Sequence, residues 1–207
     1  MDKTNYIYSF NYDYNERDLS KLESKYIFSE EEKNKLLFSN IEIDPSHSAF
    51  IKKRLDIISF SEDYATLINQ IKNENICIEA FKIEYLVLDG DTTEYAARLQ
   101  KLRDIGLSIE GEATYKNPTI TYGLCSYKGI WYFGTLIKNN FDWHIHKEKP
   151  NSFSNSLTMS IAKTLVNIAS KGNKEKKLLD TCCGVGTILL EACFAGNDIN
   201  GCDINEK

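Results

Sequence analysis

Long apolar segments are absent from this sequence of 207 residues. No run approaches the roughly 20 apolar residues that a membrane-spanning helix needs. The N-terminal stretch MDKTNYIYSFNYDYNERD is acidic and aromatic, so it lacks the basic and then apolar pattern of a secretory signal. These absences predict a cytoplasmic protein without a membrane partner.

The sequence also lacks the ligand spacings of a zinc site. Its six cysteines form no Cys-x-x-Cys pair, and no pair of histidines separated by three to five residues accompanies them. The cysteines are Cys77, Cys125, Cys182, Cys183, Cys193 and Cys202. We therefore expect no metal site, and we expect free thiols that are mostly buried as small apolar side chains.

A strong charge of either sign is lacking as well. The formal net charge is -5, which by itself does not indicate a nucleic-acid-binding protein. Residues 137–177 carry eight lysines and three acidic residues, so this segment is net +5 and the remainder is net -10. A strip that contacts phosphate is one interpretation, whereas solvated surface charge is the simpler one.

The first part of the chain mixes helix and strand patterns. Apolar residues at helical spacing predict a helix at 15–28, with Leu19, Leu22 and Tyr26 on one face. A tyrosine-rich alternating segment precedes this helix, and two strand-like apolar segments follow it. We therefore expect a small α+β unit over residues 1–58.

A second block has a clearer order of elements. Helices are predicted at 61–74 and 92–106, with a strand between them and two strands after them. The first of these helices is predicted to be amphipathic, with apolar positions Tyr64, Leu67, Ile68 and Ile71. The last two strands are joined by Lys128 and Gly129, a pair that favours a tight hairpin turn. This order predicts one α+β domain over residues 59–138.

The remaining residues alternate in the order typical of an α/β sheet. Residues 139–154 are polar and are predicted to be a linker. The predicted elements after it are a helix at 156–170, a strand at 177–180, a helix at 187–195 and a strand at 198–203. A strand, a glycine turn, a helix and a second strand begin a doubly wound fold. We therefore expect residues 155–207 to start a Rossmann-like domain.

The turn between the first of these strands and its helix has the composition of a ligand-binding loop. Asp180 and Asp203 are expected at the carboxyl ends of the two strands, where ligands bind in such folds. Gly184 and Gly186 let the backbone approach a ligand closely, and a helix that begins near Thr187 offers N–H groups to an anion. For either aspartate alone, a helix cap or a turn residue is the simpler interpretation.

These features predict a ligand that carries a ribose and a carboxylate. Asp203 follows Gly186 at nearly the offset of about 20 residues at which a carboxylate accepts ribose hydroxyls. A nicotinamide dinucleotide would require a third glycine, and the sequence TILLEA follows the second one here. S-adenosylmethionine fits better, because its carboxylate would meet the loop and helix N–H groups and its ammonium would lie near Asp180.

Three stretches of the sequence resemble a known enzyme family. LLDTCCGVGTILLEA (178–192) is similar to the first motif of class I RNA methyltransferases. KEKPNSFSNSLTMSIAKTLVNIAS (147–170) resembles the motif that precedes it in enzymes with a THUMP domain, which is an RNA-binding module. GEATYKNPTITYGLCSYKGIWYFG (111–134) resembles the closing hairpin of that domain. The most similar enzymes methylate the exocyclic amino group of a tRNA guanosine.

The resemblance implies an α+β N-terminal region, ferredoxin-like and THUMP-like, that binds RNA and in particular tRNA. The first half of an α/β Rossmann-like methyltransferase domain would follow, with S-adenosylmethionine as cofactor. The implied cofactor site has Asp180, Cys182, Gly184, Gly186 and Thr187 around the methionine part, Asp203 at the ribose, and Asn155, Ser156 and Leu157 closing the pocket. Two departures occur: Thr181 stands where the family has proline, and Ser152-Phe153-Ser154 replaces an aromatic-His-Pro segment.

The catalytic motif of the family, (Asp/Asn)-Pro-Pro-(Tyr/Phe), does not occur in the sequence. The prolines are Pro45, Pro118 and Pro150, and none precedes another proline or an aromatic residue. We therefore expect an N-terminal portion of a longer enzyme, with no catalytic residue of its own and no methyl transfer by residues 1–207 alone. The alternatives are a non-catalytic THUMP-like RNA-binding module and, less favoured, a fragment of a nicotinamide-dependent oxidoreductase.

Overall fold

The computed structural model describes residues 4–147 and 156–204. These residues form two compact units, each assembled from separate stretches of the chain. Unit 1 comprises the described residues of Met1–Ser9, Asn34–Glu42 and Lys53–Lys138, and unit 2 comprises those of Phe10–Lys33, Ile43–Lys52 and Asn139–Lys207. The predicted domains at 1–58, 59–138 and 155–207, with a linker at 139–154, stay predictions.

Helices and strands alternate irregularly along the described residues. The strands are β1 (Tyr6–Phe10), β2 (Leu36–Ser39), β3 (Ile51–Ser61), β4 (Cys77–Tyr85), β5 (Glu110–Ala113), β6 (Ile120–Tyr127), β7 (Ile130–Lys138), β8 (Lys177–Asp180) and β9 (Asp198–Gly201). The helices are α1 (Arg17–Phe28), α2 (Tyr64–Asn73), α3 (Tyr95–Gly106), α4 (Met159–Ser170) and α5 (Thr187–Ala195). Among these described helices, none is long and apolar enough to cross a membrane.

Seven of the strands form one mixed sheet in the order β2-β1-β3-β7-β6-β4-β5. Strand β4 pairs in parallel with β5 and β6, whereas the pairs β1–β2, β3–β7 and β6–β7 are antiparallel. Strands β8 and β9 form a separate parallel pair. The predicted mixture of α and β structure is confirmed. The THUMP-like character of the N-terminal part and the half-complete Rossmann-like domain stay predictions.

The core of unit 1 is apolar and joins the sheet to helices α2 and α3. Its buried side chains are Leu67, Ile71, Phe81, Ile105, Ile109, Tyr122, Leu124 and Phe133. Leu67 and Ile71 lie one turn apart on α2, on the face that the helical spacing predicted. Phe133 stacks on Tyr122 with 5.2 Å between the ring centroids. Burial of each such side chain stabilises the unit by roughly 1.5–3 kcal/mol.

The turn between β6 and β7 agrees with the sequence prediction. Lys128 and Gly129 both have positive φ angles, 50° and 80°, which is the conformation of a two-residue type I′ turn. Further along β7, a Cβ atom at Gly134 would collide with the carbonyl oxygen of Asp56 on β3. A side chain at position 134 would therefore push these two strands apart.

Unit 2 packs helix α4 against both α1 and α5. Helix α4 begins at its capping residue, because the hydroxyl of Thr158 accepts the N–H of Ile161 at 3.4 Å. Strands β8 and β9 pair in register, with Asp180 opposite Gly201. Unit 2 therefore contains the strand, loop, helix and strand in which the sequence predicted a ligand site.

Helix α1 buries several polar side chains, whereas two of the apolar residues that share its predicted face are exposed. Leu22 and Tyr26 are 41% and 39% exposed, whereas Ser20, Glu23 and Ser24 are buried. Apolarity along α1 therefore does not show which of its side chains are buried. The buried side chains of Glu23 and Ser24 take part in hydrogen bonds, which offset the cost of removing them from water.

The cysteines also differ from expectation. All six are free thiols, but Cys125 alone is buried and Cys183 is half-buried. The exposed ones are Cys77, Cys182, Cys193 and Cys202. The expectation that most would be buried was wrong, because these four lie at a strand start, in loops and on the outer side of α5.

Candidate functional site

The parallel pairing of β8 and β9 places their carboxyl ends side by side. Asp180 is the last residue of β8 and pairs with Gly201, the last residue of β9. The N–H of Cys202 continues this ladder by donating to the carbonyl oxygen of Asp180 at 2.9 Å. Asp203 therefore follows β9 at the same edge, although the strand ends earlier than the predicted 198–203.

Asp203 closes the glycine loop. Its carboxylate Oδ2 accepts the backbone N–H of Gly184 at 2.8 Å. The neighbouring N–H of Cys183 donates to the carbonyl oxygen of Cys202 at 3.0 Å. Two hydrogen bonds thus join the loop to the segment after β9, one of them to an ionised group and therefore among the stronger kinds. Asp203 fixes the loop backbone whatever else it binds.

Asp180 starts the loop with a local turn. Its Oδ1 accepts the N–H of Cys182, two residues further on, at 3.1 Å. An aspartate side chain that bonds to the backbone in this way forms an Asx turn, which is the turn-residue role that the sequence left open. Asp180 and Asp203 both shape the loop, and both place a carboxylate at the carboxyl edge of the two strands.

Two glycines give the loop its path. Gly184 and Gly186 have φ angles of 50° and 77°, in the left-handed region that costs other residues about 1–2 kcal/mol. A Cβ atom at Gly184 would meet no heavy atom of the described residues within 4 Å, so open space faces the loop there. Gly186 precedes Thr187, the first residue of α5, and offers no side chain to cap this helix. The first N–H groups of α5 therefore begin beside the loop.

A third glycine, Gly201, was not anticipated from the sequence. A Cβ atom at this position would lie 2.7 Å from Cδ1 of Leu189 and 3.0 Å from Cβ of Cys183. Gly201 therefore allows α5 and the loop to pack directly on β9. In the sequence, Gly201 is a glycine at the end of a short strand. An ordinary turn residue has the same pattern, so the sequence does not show that this position must lack a side chain.

Of the two loop cysteines, Cys183 has a packing role. Burial, and then the charges of Asp180 and Asp203, raise the pKa of the Cys183 thiol, so it stays protonated near neutral pH. Its Cβ lies against Gly201, whereas Cys182 is exposed. In the part of the chain that the structure describes, no group of three or more His, Cys, Asp or Glu side chains is arranged to hold a metal ion.

The segment before α4 lines a separate cavity. Ser156 and Leu157 border a space of about 430 Å³. The cavity's other lining residues are Trp143, His144, Thr158, Met159 and Ser160. Asn155, the third residue predicted to close the cofactor pocket, lies outside the described residues.

One apolar cluster connects the start of α4 with α5. Met159 on α4 packs with Ala49 and Trp143, and Leu190 on α5 packs against the same cluster. Leu190 also closes the first turn after the loop, because its N–H donates to the carbonyl oxygen of Gly186 at 2.9 Å. The cavity lies beside the start of α4, and the glycine loop lies directly before α5. The side chains of this cluster connect the two.

The donors and acceptors of the loop fit S-adenosylmethionine. N–H groups at a helix start suit its carboxylate, the carboxylate of Asp203 suits ribose hydroxyls, and the open space at Gly184 leaves room for the cofactor. The dinucleotide fingerprint fits less well. Its third glycine falls on Leu189, whose side chain packs on Gly201.

Comparison with protein families supports a methyltransferase domain in this part of the chain. Residues 148–205 match UPF0020, described as RMKL-like, methyltransferase domain. The matched range includes the glycine loop, both aspartates and the whole of α4. No curated protein matches the sequence.

Comparison with solved structures gives one similar fold with a TM-score above 0.5. TrmN from Thermus thermophilus is 12% identical, with a TM-score of 0.53 over 97% of this chain and 66% of that chain. PH1313 from Pyrococcus horikoshii Ot3 is 11% identical, with a TM-score of 0.48 over 97% of this chain and 80% of that chain. This chain spans 66% of the length of the TrmN chain. At this identity, the likeness to TrmN shows a shared fold.

Proposed function

We propose that this chain carries the RNA-binding region and the first cofactor-binding motifs of an RNA methyltransferase that uses S-adenosylmethionine. The observation that supports this most directly is the closed loop at 180–187. There two parallel strands end, a helix begins, and Asp203 holds Gly184. The family match at 148–205 covers the same residues.

In this proposal the loop binds the methionine part of the cofactor. Bound S-adenosylmethionine supplies a methyl group on a sulfonium, which a nucleophile takes in line. The proposed contacts of the methionine part are Asp180, Cys182, Gly184, Gly186 and Thr187. The N–H groups at the start of α5 receive the carboxylate, because anions are favoured at a helix N-terminus.

Asp203 and the segment before α4 complete the proposed pocket. An ionised carboxylate offers about four acceptor positions. Asp203 therefore accepts ribose hydroxyls in addition to the N–H of Gly184. The proposal also assigns the closing of the pocket to Asn155, Ser156 and Leu157, of which Ser156 and Leu157 line the cavity beside the start of α4. The loop thus orients the cofactor through backbone groups and one shared carboxylate.

The proposed substrate is the exocyclic amino group of a guanosine in tRNA. The resemblance of residues 111–134 and 147–170 to motifs of THUMP-containing methyltransferases supports it. Residues 59–138 then form the THUMP-like RNA-binding domain, after a small α+β unit at 1–58, and residues 155–207 begin the methyltransferase domain of a cytoplasmic enzyme. A target base inside a paired stem would have to leave its stack before it could reach the cofactor.

We expect residues 1–207 by themselves to bind the cofactor without turnover. The Pro-Pro-aromatic motif that would hold the guanine amine does not occur among these residues. The test is incubation of the chain with bulk tRNA and S-adenosylmethionine labelled in the methyl group, beside calorimetric titration with S-adenosylmethionine and with a nicotinamide dinucleotide. Clear turnover would refute the expected inactivity. If the chain binds RNA but does not bind S-adenosylmethionine, the non-catalytic module is favoured. If it binds the dinucleotide but not S-adenosylmethionine, the oxidoreductase is favoured.

Substitutions at Asp203 test the loop directly. Asp203→Ala removes both the acceptor for Gly184 and the proposed ribose contact, so cofactor affinity should fall about tenfold or more, since bonds to charged groups are worth roughly 1.5–3 kcal/mol. Asp203→Asn keeps an oxygen for Gly184 and should lose less. The matched control is Asp198→Asn on β9, an exposed carboxylate 3.9 Å from Lys177. Equal affinities in all three variants would sink the assignment of Asp203.

A further inference from the structure

A buried carboxylate of unit 2 has no ion pair among the residues that the structure describes. Glu23 on α1 is 0% exposed. The hydroxyl of Ser48 donates to its Oε2 at 2.6 Å, and the side-chain amide of Asn167 donates to its Oε1 at 2.7 Å. Among the described residues, neutral groups make both of these bonds. Burying an ionised group in this way is costly, so its place in the fold calls for an explanation.

The two donors are themselves fixed by other bonds. Asn167 also donates to the carbonyl oxygen of His47 at 2.8 Å. The hydroxyl oxygen of Ser48 accepts the N–H groups of Phe50 at 3.0 Å and Ile51 at 3.2 Å. Asn167 is the asparagine of the Leu-Val-Asn-Ile-Ala sequence in α4. It therefore joins α4 to α1 and to the segment at 47–51.

A half-buried charge extends this network to α5. Lys163 lies one turn before Asn167 on α4. Burial lowers the pKa of Lys163, and attraction first to Glu191 and then to Glu23 opposes that change. Glu191 is 2% exposed and lies on α5, the helix that begins at the glycine loop. One ammonium group on α4 is thus attracted to buried carboxylates on both neighbouring helices.

We propose that Glu23 is a positioning residue for the cofactor site. Its carboxylate accepts the side-chain amide of Asn167 and so holds α4, which packs against α5, the helix that begins at the loop. The charges of Lys163 and Glu191 act between the same two helices. The consequence for cofactor binding rests on the proposed function, whereas the consequence for the loop does not. Residues of the N-terminal helix thereby become part of the cofactor-binding unit, although the family match begins only at residue 148.

Protonation of Glu23 should disturb this arrangement near pH 6. Burial raises its pKa to about 6, against the hydrogen bonds from Ser48 and Asn167 and the charge of Lys163. A protonated carboxyl group keeps one oxygen as a good acceptor and no longer attracts Lys163. The other titratable groups of the network are Glu191 on α5 and His47. Burial and nearby lysines lower the pKa of His47.

The first test needs no cofactor. Amide resonances of the 207-residue chain are followed by NMR from about pH 7.5 to about pH 5, the range in which perturbed carboxyl groups and histidines titrate. We expect amides of α5 and of residues 182–186 to shift with one midpoint near that of Glu23. The shift should vanish in Glu23→Gln and persist in Glu30→Gln, an exposed glutamate just after α1.

Two further variants separate other causes. The shift should persist in His47→Gln, because the proposal assigns the midpoint to Glu23. In Lys163→Met the midpoint should rise, because the ionised form of Glu23 loses an attracting charge. Loop amides that do not titrate in the wild type, or that still titrate in Glu23→Gln, overturn the proposal even if the cofactor binds well.

The second test measures affinity for S-adenosylmethionine at the same pH values. Wild type and Glu30→Gln should bind roughly fivefold or more weakly at the acid end, a typical coupling between two sites. Glu23→Gln should bind weakly and without this dependence. If the loop titrates as expected but neither the wild type nor any variant binds the cofactor, the proposed function fails. The positioning role of Glu23 for the loop then still stands.

Discussion

The two units of the chain bury polar groups to very different extents. Among the described residues, Arg54 and Ser59 are the buried polar residues of unit 1. Those of unit 2 are Ser20, Glu23, Ser24, Glu32, Ser48, Asn139, Thr164, Asn167, Ser170, Thr187, Glu191 and Asn197. Unit 1 is therefore held together mainly by apolar burial, and unit 2 depends on hydrogen bonds whose donors and acceptors must match. A mismatch costs more than the bond itself contributes, so unit 2 is the more specific and the more sensitive unit.

One carboxylate with a shifted pKa in each unit shows the difference most clearly. Glu84 in unit 1 meets the ammonium groups of Lys138 at 2.6 Å, Lys82 at 2.7 Å and Lys53 at 3.6 Å. Burial tends to raise its pKa, but the hydrogen bonds and charges of these lysines lower the pKa to about 2. Burial of Glu23 in unit 2 is not outweighed, and its pKa rises to about 6. Shifted pKa values of this kind cluster at functional sites, although ion pairs within a structure also shift them, as at Glu84.

The largest effect is expected from opening a cavity in the apolar core of unit 1. Phe133→Ala removes a fully buried ring that stacks on Tyr122, so the free energy of unfolding should fall by about 3–5 kcal/mol. The chain has one tryptophan in each unit, Trp131 and Trp143. Denaturant unfolding followed by fluorescence in Trp143→Phe and Trp131→Phe backgrounds therefore reports on each unit separately.

The control for this cavity is the removal of an exposed ring from the same unit. Tyr115 is 89% exposed, and Tyr115→Ala should change the stability by less than about 0.5 kcal/mol. Phe133→Ala should move the Trp131 transition more than the Trp143 transition. Equal shifts of both transitions would contradict the separation of the two cores.

An intermediate effect is expected from pH, with opposite signs in the two units. The folded pKa of Glu23 is raised from 4.5 to about 6, so the folded state binds this proton more tightly than the unfolded state. Its contribution to stability is lowest above that folded pKa and increases as the pH falls toward 4.5, by roughly 2 kcal/mol. The folded pKa of Glu84 is lowered to about 2, so its contribution is full above its unfolded pKa and is lost as the pH falls.

Matched variants isolate these two contributions. As the pH rises, Glu23→Gln should become more stable relative to wild type. The measurement is the free energy of unfolding of each protein, reported by Trp143. Over the same rise in pH, wild type should become more stable relative to Glu84→Gln, as reported by Trp131. Other groups such as His47 cancel in each difference. If the stability differences between wild type and the two variants change with pH in the same direction, the contrast between the two carboxylates is contradicted.

The features that the sequence predicted well depend on local signals. The turn at Lys128 and Gly129 follows from the backbone freedom of glycine, and the buried face of α2 follows from helical spacing. The order of strand, glycine turn, helix and strand in unit 2 is local in the same sense. Asp180 and Asp203 meet the same loop because parallel strands end at one edge. The cofactor assigned to that loop stays a prediction.

The features that the sequence missed depend on distant partners. Glu23 is buried because Asn167, 144 residues further along the chain, donates to it. Apolarity along α1 favoured Leu22 and Tyr26, and no periodic pattern reports that a glutamate has such a partner. Gly201 was missed for a similar reason, because its need for a bare backbone comes from Leu189 on another element.

The smallest effect on folding is expected from a matched pair of glycine substitutions, one in each unit. Gly129 and Gly186 have nearly the same left-handed backbone, with φ angles of 80° and 77°. In the described residues, a Cβ atom at either position meets no atom closer than 3.7 Å, the distance to Leu189 from Gly186. Each change to alanine should therefore cost its own unit about 1 kcal/mol through backbone strain alone, which the two tryptophan signals measure.

The same pair separates folding from binding. Gly129→Ala relieves its strain within a hairpin turn and should leave the affinity for S-adenosylmethionine unchanged. Gly186→Ala relieves its strain by turning the first residues of α5 and the loop that Asp203 holds. Calorimetric titration should therefore show weaker binding in Gly186→Ala than the folding cost explains. Equal affinities in the two variants would mean that the loop backbone does not contact the ligand, because a donor array that binds an anion does not tolerate a change in its direction.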